Sequence, residues 1–68
     1  MPVLIYGKDS CPYTADAREH YGSRGDVQYV NVKKDAAALR RMLELTGGQR
    51  RVPVIVEGGT VTIGFGGT

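Results

Sequence analysis

The sequence predicts an α/β domain built on a four-stranded mixed sheet with strand order 2-1-3-4. Three observations predict it. Val3-Leu4-Ile5-Tyr6 and Val52-Pro53-Val54-Ile55-Val56 are apolar throughout, as strands covered on both faces are. Two further segments space their apolar residues as helices do and alternate with the strands. A tight turn, Glu57-Gly58-Gly59, then leads into Thr60-Val61-Thr62-Ile63, which alternates as a strand wet on one side should. The two all-apolar strands form the inner pair. A right-handed crossover joins the first two strands in parallel, and a hairpin joins the last two.

Taken in order, the first strand ends at Gly7, and the loop Lys8-Asp9-Ser10 leads into Cys11-Pro12-Tyr13-Thr14. A helix is predicted from about residue 11 or 12 to about Tyr21, with Ser10 as its cap and Gly22-Ser23-Arg24-Gly25 as its stop. Pro12 suits the first helical position. Tyr13, Ala17 and Tyr21 make the inward stripe, Thr14 lies one step away, and Asp16, Arg18 and Glu19 face water. Val27 to Val32 mixes apolar and polar residues on both sides, which suits an edge strand. Asp35 caps a second helix over residues 36–46. Leu39, Met42, Leu43 and Thr46 form its inner stripe, and Gly47-Gly48 ends it. Pro53 fits poorly inside a central strand unless it stands among the first residues, where a cis Val52-Pro53 bond would serve.

Composition narrows the functions. A chain of 68 residues is one domain, spanning 1–68. At this size roughly 60% of the unfolded surface is buried, so each core residue counts. One cysteine forms no internal disulfide, which points to a reducing compartment such as the cytoplasm. No apolar run approaches the roughly 20 residues of a membrane span, and no signal-peptide layout is seen at the start. A net charge of +2 is too small to argue for nucleic acid as the partner, and none is expected. No second cysteine or histidine offers a metal site within one chain.

Cys11 falls where a strand ends and a helix begins. Unpaired amides and the helix dipole favour negative charge there, and Lys8 adds a cation, so the thiol should ionise more readily than a free one. A lone cysteine is most often a small inert hydrophobe. Its placement and the proline after it argue for the reactive reading. His20 lies two turns along the helix and reads as solvent-facing. Tyr6, Tyr21 and Tyr29 read as core or sheet-face residues, and Tyr13 reads equally as site or core.

Together these residues resemble a glutaredoxin. Cys11-Pro12-Tyr13-Thr14 after a strand, with Lys8 three residues earlier, resembles the family's Cys-Pro-Tyr-Cys loop with Thr14 in place of the second cysteine. Arg51-Val52-Pro53 resembles its Thr-Val-Pro segment, whose proline is cis, and Gly66-Gly67 its pair of glycines after the fourth strand. The order and spacing of the three motifs agree over nearly the whole chain. There is also a likeness to small bacterial glutaredoxin-like proteins that carry selenocysteine at this position.

The resemblance implies a thioredoxin-like fold and a thiol–disulfide oxidoreductase with Cys11 as nucleophile. Its thiolate would reduce glutathione mixed disulfides by a route that needs one cysteine, with glutathione as co-substrate and no bound cofactor. It further implies that Lys8 and Arg51 meet glutathione's carboxylates, and that Tyr13 borders its thiol end. Val52, beside Pro53, would pair with its peptide groups, and Gly66 and Gly67 would cradle its γ-glutamyl carboxylate. Thr14 would either donate to the sulfur or pack within the first turn. Partners are then glutathione and glutathionylated or disulfide substrates. Two departures stand out: the acidic residues that follow the glycine pair in the family are absent, and so is its C-terminal helix. Without that helix, bare apolar sheet surface and self-association, or a truncated chain, are expected. Alternative functions are a glutathione-ligated iron–sulfur carrier, whose usual Cys-Gly-Phe-Ser differs here, and a peroxidase-like or other thiol redox protein with a different reductant.

Overall fold

A computed structural model describes residues 2–23 and 25–65. Six elements run in the predicted order: β1 (Val3–Gly7), α1 (Pro12–Gly22), β2 (Val27–Asn31), α2 (Ala36–Thr46), β3 (Val54–Glu57) and β4 (Thr60–Ile63). The sheet order is β2-β1-β3-β4. β1 pairs β2 in parallel and β3 antiparallel, and β3 pairs β4 antiparallel. This is the predicted thioredoxin-like architecture.

The sheet separates two small cores, one under each helix, because successive strand residues point to opposite faces. Val3, Ile5 and Ile55 meet Ala17 of α1, flanked by Tyr21, Val27, Tyr29 and Phe65. Tyr6 and Val54 meet Met42 of α2 and Val32, flanked by Leu4, Leu39, Leu43, Val56 and Val61. The inner strands are therefore apolar throughout because each feeds both cores. The predicted bare sheet face is not found: the large hydrophobic side chains exposed among the described residues are Tyr13 and Leu45 alone. Phe65, just past β4, packs against the α1-side core.

Three local expectations are corrected. Cys11, not Ser10, occupies the cap position of α1, and no side chain hydrogen-bonds the free amides there. The buried face of α1 carries Thr14 and Ala17, with Tyr21 half-buried, whereas Tyr13 is 39% exposed. Starting the helix at Pro12 turns Thr14 onto the sheet and Tyr13 away from it. β3 begins at Val54, not at Val52, because the cis Val52-Pro53 bond lies just ahead of the ladder. Cis proline is thus present where the sequence called for it, outside the hydrogen-bonded strand.

The register gathers several loops at one end of the sheet. Tyr6 pairs with Val54, so the end of β1 abuts the start of β3 and Pro53. Val54 also pairs with Ile63, and the Gly64 amide donates to the Pro53 carbonyl at 2.7 Å. On the other flank the Val32 amide donates to the Gly7 carbonyl at 2.9 Å. The Cys11 loop, the β2–α2 turn, the cis-proline segment and the residues after β4 therefore share one edge of the molecule.

Candidate active site

Cys11 stands at the junction between β1 and α1. Its backbone is extended (φ −94°, ψ 116°), its amide donates to the Lys8 carbonyl at 3.3 Å, and its carbonyl accepts the Ala15 amide at 3.2 Å. These bonds fix the sulfur above the first turn of α1. Pro12 at the first helical position removes one amide that would otherwise need a partner.

The sulfur is covered more fully than the sequence suggests. Cys11 is only 8% exposed. Burial pushes the thiol's pKa up. Against it act the Thr14 hydroxyl, the Thr14 and Tyr13 backbone amides, and the charge of Lys8, and together they hold the thiol below its ordinary value. The two amides are free to do so because no other side chain caps them.

Thr14 is the least ordinary member of this set. It is 1% exposed, and its Oγ1 has no hydrogen-bond partner in good geometry. A buried hydroxyl left without a partner costs stability. Here it lies close enough to the sulfur to stabilise an anion, which can accept the donor the neutral thiol does not engage. Its position depends on Gly7, a residue the sequence reading passed over. A β-carbon on Gly7 would collide with the Thr14 Cγ2 methyl, and would lie 2.7 Å from Oγ1 and 3.1 Å from Cβ. The available signal was a glycine closing a strand otherwise made of large apolar residues.

The loop is tied down at Asp9. Tyr29 of β2 donates its hydroxyl to Asp9 Oδ1 at 2.8 Å, and Lys34 Nζ lies 3.9 Å from Oδ2. Burial first, then this hydrogen bond, pushes the Tyr29 phenol up to about 12. Arg18 stacks on the same ring, 4.1 Å from its centroid. None of these contacts was expected from sequence, because they join residues far apart in the chain.

Beside the loop lies an open groove of about 530 Å³, lined by Lys8, Lys33, Lys34 and Arg50 and by Val32, Ala36, Leu39, Met42 and Val52. Lys8 and Val52, both expected in the site, meet here. Arg51 is exposed and does not line the groove, whereas its neighbour Arg50 does. Pro53 is buried, and Tyr13 is exposed at the start of α1. Gly66 and Gly67 lie outside the described residues. His20 is exposed and lies against Tyr21 and Phe65 at ring-centroid distances of 4.9 and 5.4 Å, with no part in the thiol's surroundings. Among the described residues no cluster of metal-ligating side chains occurs, and no helix is long and apolar enough to cross a membrane.

The arrangement is thus one thiol biased toward its anion, next to a cation-lined groove. Several solved structures share this fold. A glutaredoxin from Archaeoglobus fulgidus superposes with a TM-score of 0.82 at 24% identity, over 94% of this chain and 75% of that one. The glutaredoxin-like NrdH-redoxin from Escherichia coli, described as having a thioredoxin-like activity profile, gives 0.80 at 26% identity over 96% and 84%. A buckwheat glutaredoxin, solved as its glutathione complex, gives 0.74 at 25% identity over 93% and 60%. No curated protein sequence is significantly similar to this one. The glutaredoxin family profile matches residues 3–62, which is most of the chain including the cysteine loop, the cis-proline segment and all but the last residue of β4. The chain therefore belongs to the glutaredoxin family of thiol redox proteins.

Proposed function

We propose that the protein reduces glutathione mixed disulfides through Cys11 alone. The observation that carries this reading is the single thiol at an uncapped helix start, held below its ordinary pKa by the groups around it. An attacking thiol works best with a pKa near ambient pH, and a thiol of low pKa also leaves readily. Both properties serve a two-step exchange.

In the first step the Cys11 thiolate attacks the glutathione sulfur of a mixed disulfide. A Cys11–glutathione disulfide forms and the substrate leaves as a thiolate, which takes a proton from solvent. In the second step the thiolate of another glutathione attacks the glutathione sulfur held on Cys11. Glutathione disulfide is released and Cys11 leaves as a thiolate, stabilised again by the Tyr13 and Thr14 amides. One disulfide is broken and one is formed overall: the substrate thiol is regenerated, and the incoming glutathione is the reductant, joined to the glutathione that came from the mixed disulfide. Thr14 in place of a second cysteine leaves no internal disulfide to compete. Lys8 meets a glutathione carboxylate, and the Val52 backbone ahead of Pro53 offers peptide groups for an added-strand pairing. Tyr13, exposed beside the sulfur, borders the thiol end of the ligand. Arg51, Gly66 and Gly67 complete the proposed set by their resemblance to the family's motifs. The expected compartment is the cytoplasm.

Turnover of a glutathione mixed disulfide, coupled to glutathione reductase, tests the proposal. Cys11→Ser is expected to reduce the rate to the uncatalysed background, and a rate unchanged by that substitution ends it. The similarity to NrdH-redoxin favours one further reading, in which the same thiol is served by a different reductant. Turnover of a mixed disulfide held on Cys11 by a thioredoxin reductase, in the absence of glutathione, would select that reading.

A further inference from the structure

The groove beside the cysteine loop carries more positive charge than the proposed glutathione site uses. Lys33 and Lys34 sit on the turn between β2 and α2 and line the groove with Arg50 and Lys8, and among the described residues no carboxylate lines it. The chain's net charge is only +2, so four cations around one hollow are a local concentration and not a general property of the surface. Among the described residues, one weak ion pair offsets them. It joins Lys34 to Asp9 at 3.9 Å, with both side chains well exposed, so it yields readily to a competing anion. Asp35, the next acid along, already accepts the Ala38 amide as the cap of α2.

Beneath these cations the floor is apolar, with Val32 and Met42 buried and Leu39 and Val52 half-buried. A ligand that complements both layers has several negative charges on a backbone that also bears aliphatic side chains. Glutathione carries two carboxylates and an ammonium, which leaves most of the lysine rim unmatched. Among the described residues no aromatic side chain lines the groove to stack a nucleobase. The hollow meets the cysteine loop through Lys8, whose carbonyl holds the Cys11 amide, and the cis-proline segment through Val52.

We infer that this groove docks an acidic polypeptide segment, the stretch flanking the disulfide of a protein substrate. The inference rests on the exchange chemistry proposed above, and it names the substrate class for that site. Opposite charge at a rim chiefly raises the encounter rate and excludes wrong partners. Lys33 and Lys34 thereby select proteins whose reducible disulfide lies in an acidic, partly aliphatic stretch.

Binding can be read without any thiol chemistry. The Cys11→Ser protein is titrated into a fluorescein-labelled ten-residue peptide of glutamate and leucine. A second peptide with glutamine for every glutamate serves as comparison, and fluorescence anisotropy is followed at several salt concentrations. The acidic peptide is expected to bind about tenfold more tightly at low salt, with the advantage shrinking as salt rises. Lys33→Glu/Lys34→Glu should abolish that advantage, and Arg50→Gln, on a separate segment, should reduce it. Equal affinity for the two peptides, or an advantage that survives in the doubly reversed variant with its circular dichroism unchanged, overturns the inference. Equally tight binding of a single-stranded oligonucleotide of the same charge does so too, since it would mark a general polyanion surface. Failure of the exchange reading would appear instead in the glutathione assay on the wild-type protein, so the two outcomes are separable.

Discussion

The two helices begin from the same backbone geometry and finish the job differently. Asp35 caps α2 in an extended conformation (φ −136°, ψ 101°), and its Oδ1 accepts the Ala38 amide at 3.1 Å. Cys11 occupies the corresponding position of α1 in a similar extended conformation, with a thiol in place of the capping carboxylate. Every helix start leaves amides that want an acceptor. At α2 a carboxylate supplies one permanently, and the result is stability. At α1 the acceptor becomes good only when the thiol ionises, so the helix's need for an anion is transferred to the nucleophile. The helices differ in the same sense elsewhere. α2 has a continuous apolar stripe and a left-handed glycine stop at Gly47, whereas α1 has a narrow contact face made of Thr14, Ala17 and Tyr21.

The largest expected effect comes from breaking the fit beneath the sulfur. Gly7→Ala places a methyl against Thr14, a β-branched residue on a helix with few rotamers to escape into. The first turn of α1 must lift, at a cost of about 1–3 kcal/mol as in other overpacked sites. The lift draws the Thr14 hydroxyl and amide from the sulfur. The pH midpoint of Cys11 alkylation should therefore move up, toward the free-cysteine value of about 8.5. An unmoved midpoint would mean that Thr14 does not act on the thiol.

Exchanging the caps sharpens the contrast next. Asp35→Ala should cost about 1 kcal/mol of stability, read from a denaturation midpoint, and leave the alkylation profile where it was. Cys11→Ser is the mirror image. It ends turnover, yet serine is a good cap, so at pH 5 the variant should be more stable than wild type by about 0.5–1 kcal/mol. Loss of stability there would show that the sulfur already satisfies the amides as a neutral thiol.

Thr14→Val separates the two roles of one side chain. Shape is retained and the unpartnered hydroxyl is gone, so stability should stay level or rise by about 1 kcal/mol. The alkylation midpoint should nonetheless rise, because the anion loses a donor. A thiol that titrates as before would assign the whole shift to the amides and Lys8.

How far the sequence spoke for itself follows the same division. α2 was legible to the residue, because Asp35, the Leu39-Met42-Leu43-Thr46 stripe and Gly47 all point the same way. The inner strands were legible because each must be apolar on both faces to feed the two cores. α1 was legible in extent but not in rotation. Tyr13 outweighed Thr14 on a hydrophobicity pattern, while the observed register puts the smaller residue against Gly7. Ser10 looked like the cap because serine usually is one, and the position went to the residue that the chemistry needs. The pairing of Asp9 with Tyr29 and the presence of Arg50 in the groove that Lys8 lines were invisible, since only the folded sheet brings those segments together.

The smallest effect concerns the tether that holds the cysteine loop to β2. Tyr29 donates to Asp9 only while its phenol keeps its proton, and its pKa is raised to about 12 by burial and by that bond. An acid whose folded pKa exceeds its unfolded value of about 10 contributes stability that is whole below pH 10. That contribution is lost as the pH climbs through 12. Tyr29→Phe keeps the ring on which Arg18 stacks and removes the proton. Below pH 9 it should cost little, since Asp9 is exposed and water replaces the lost donor. Between pH 10 and 12 the wild type should lose stability faster than the variant, so that the small gap between them closes and then reverses. The two proteins differ at this phenol alone, so the difference between their denaturation midpoints isolates it. A gap that stays constant to pH 12 would show that Asp9 is held by the backbone of its loop and that β2 contributes nothing to placing Cys11.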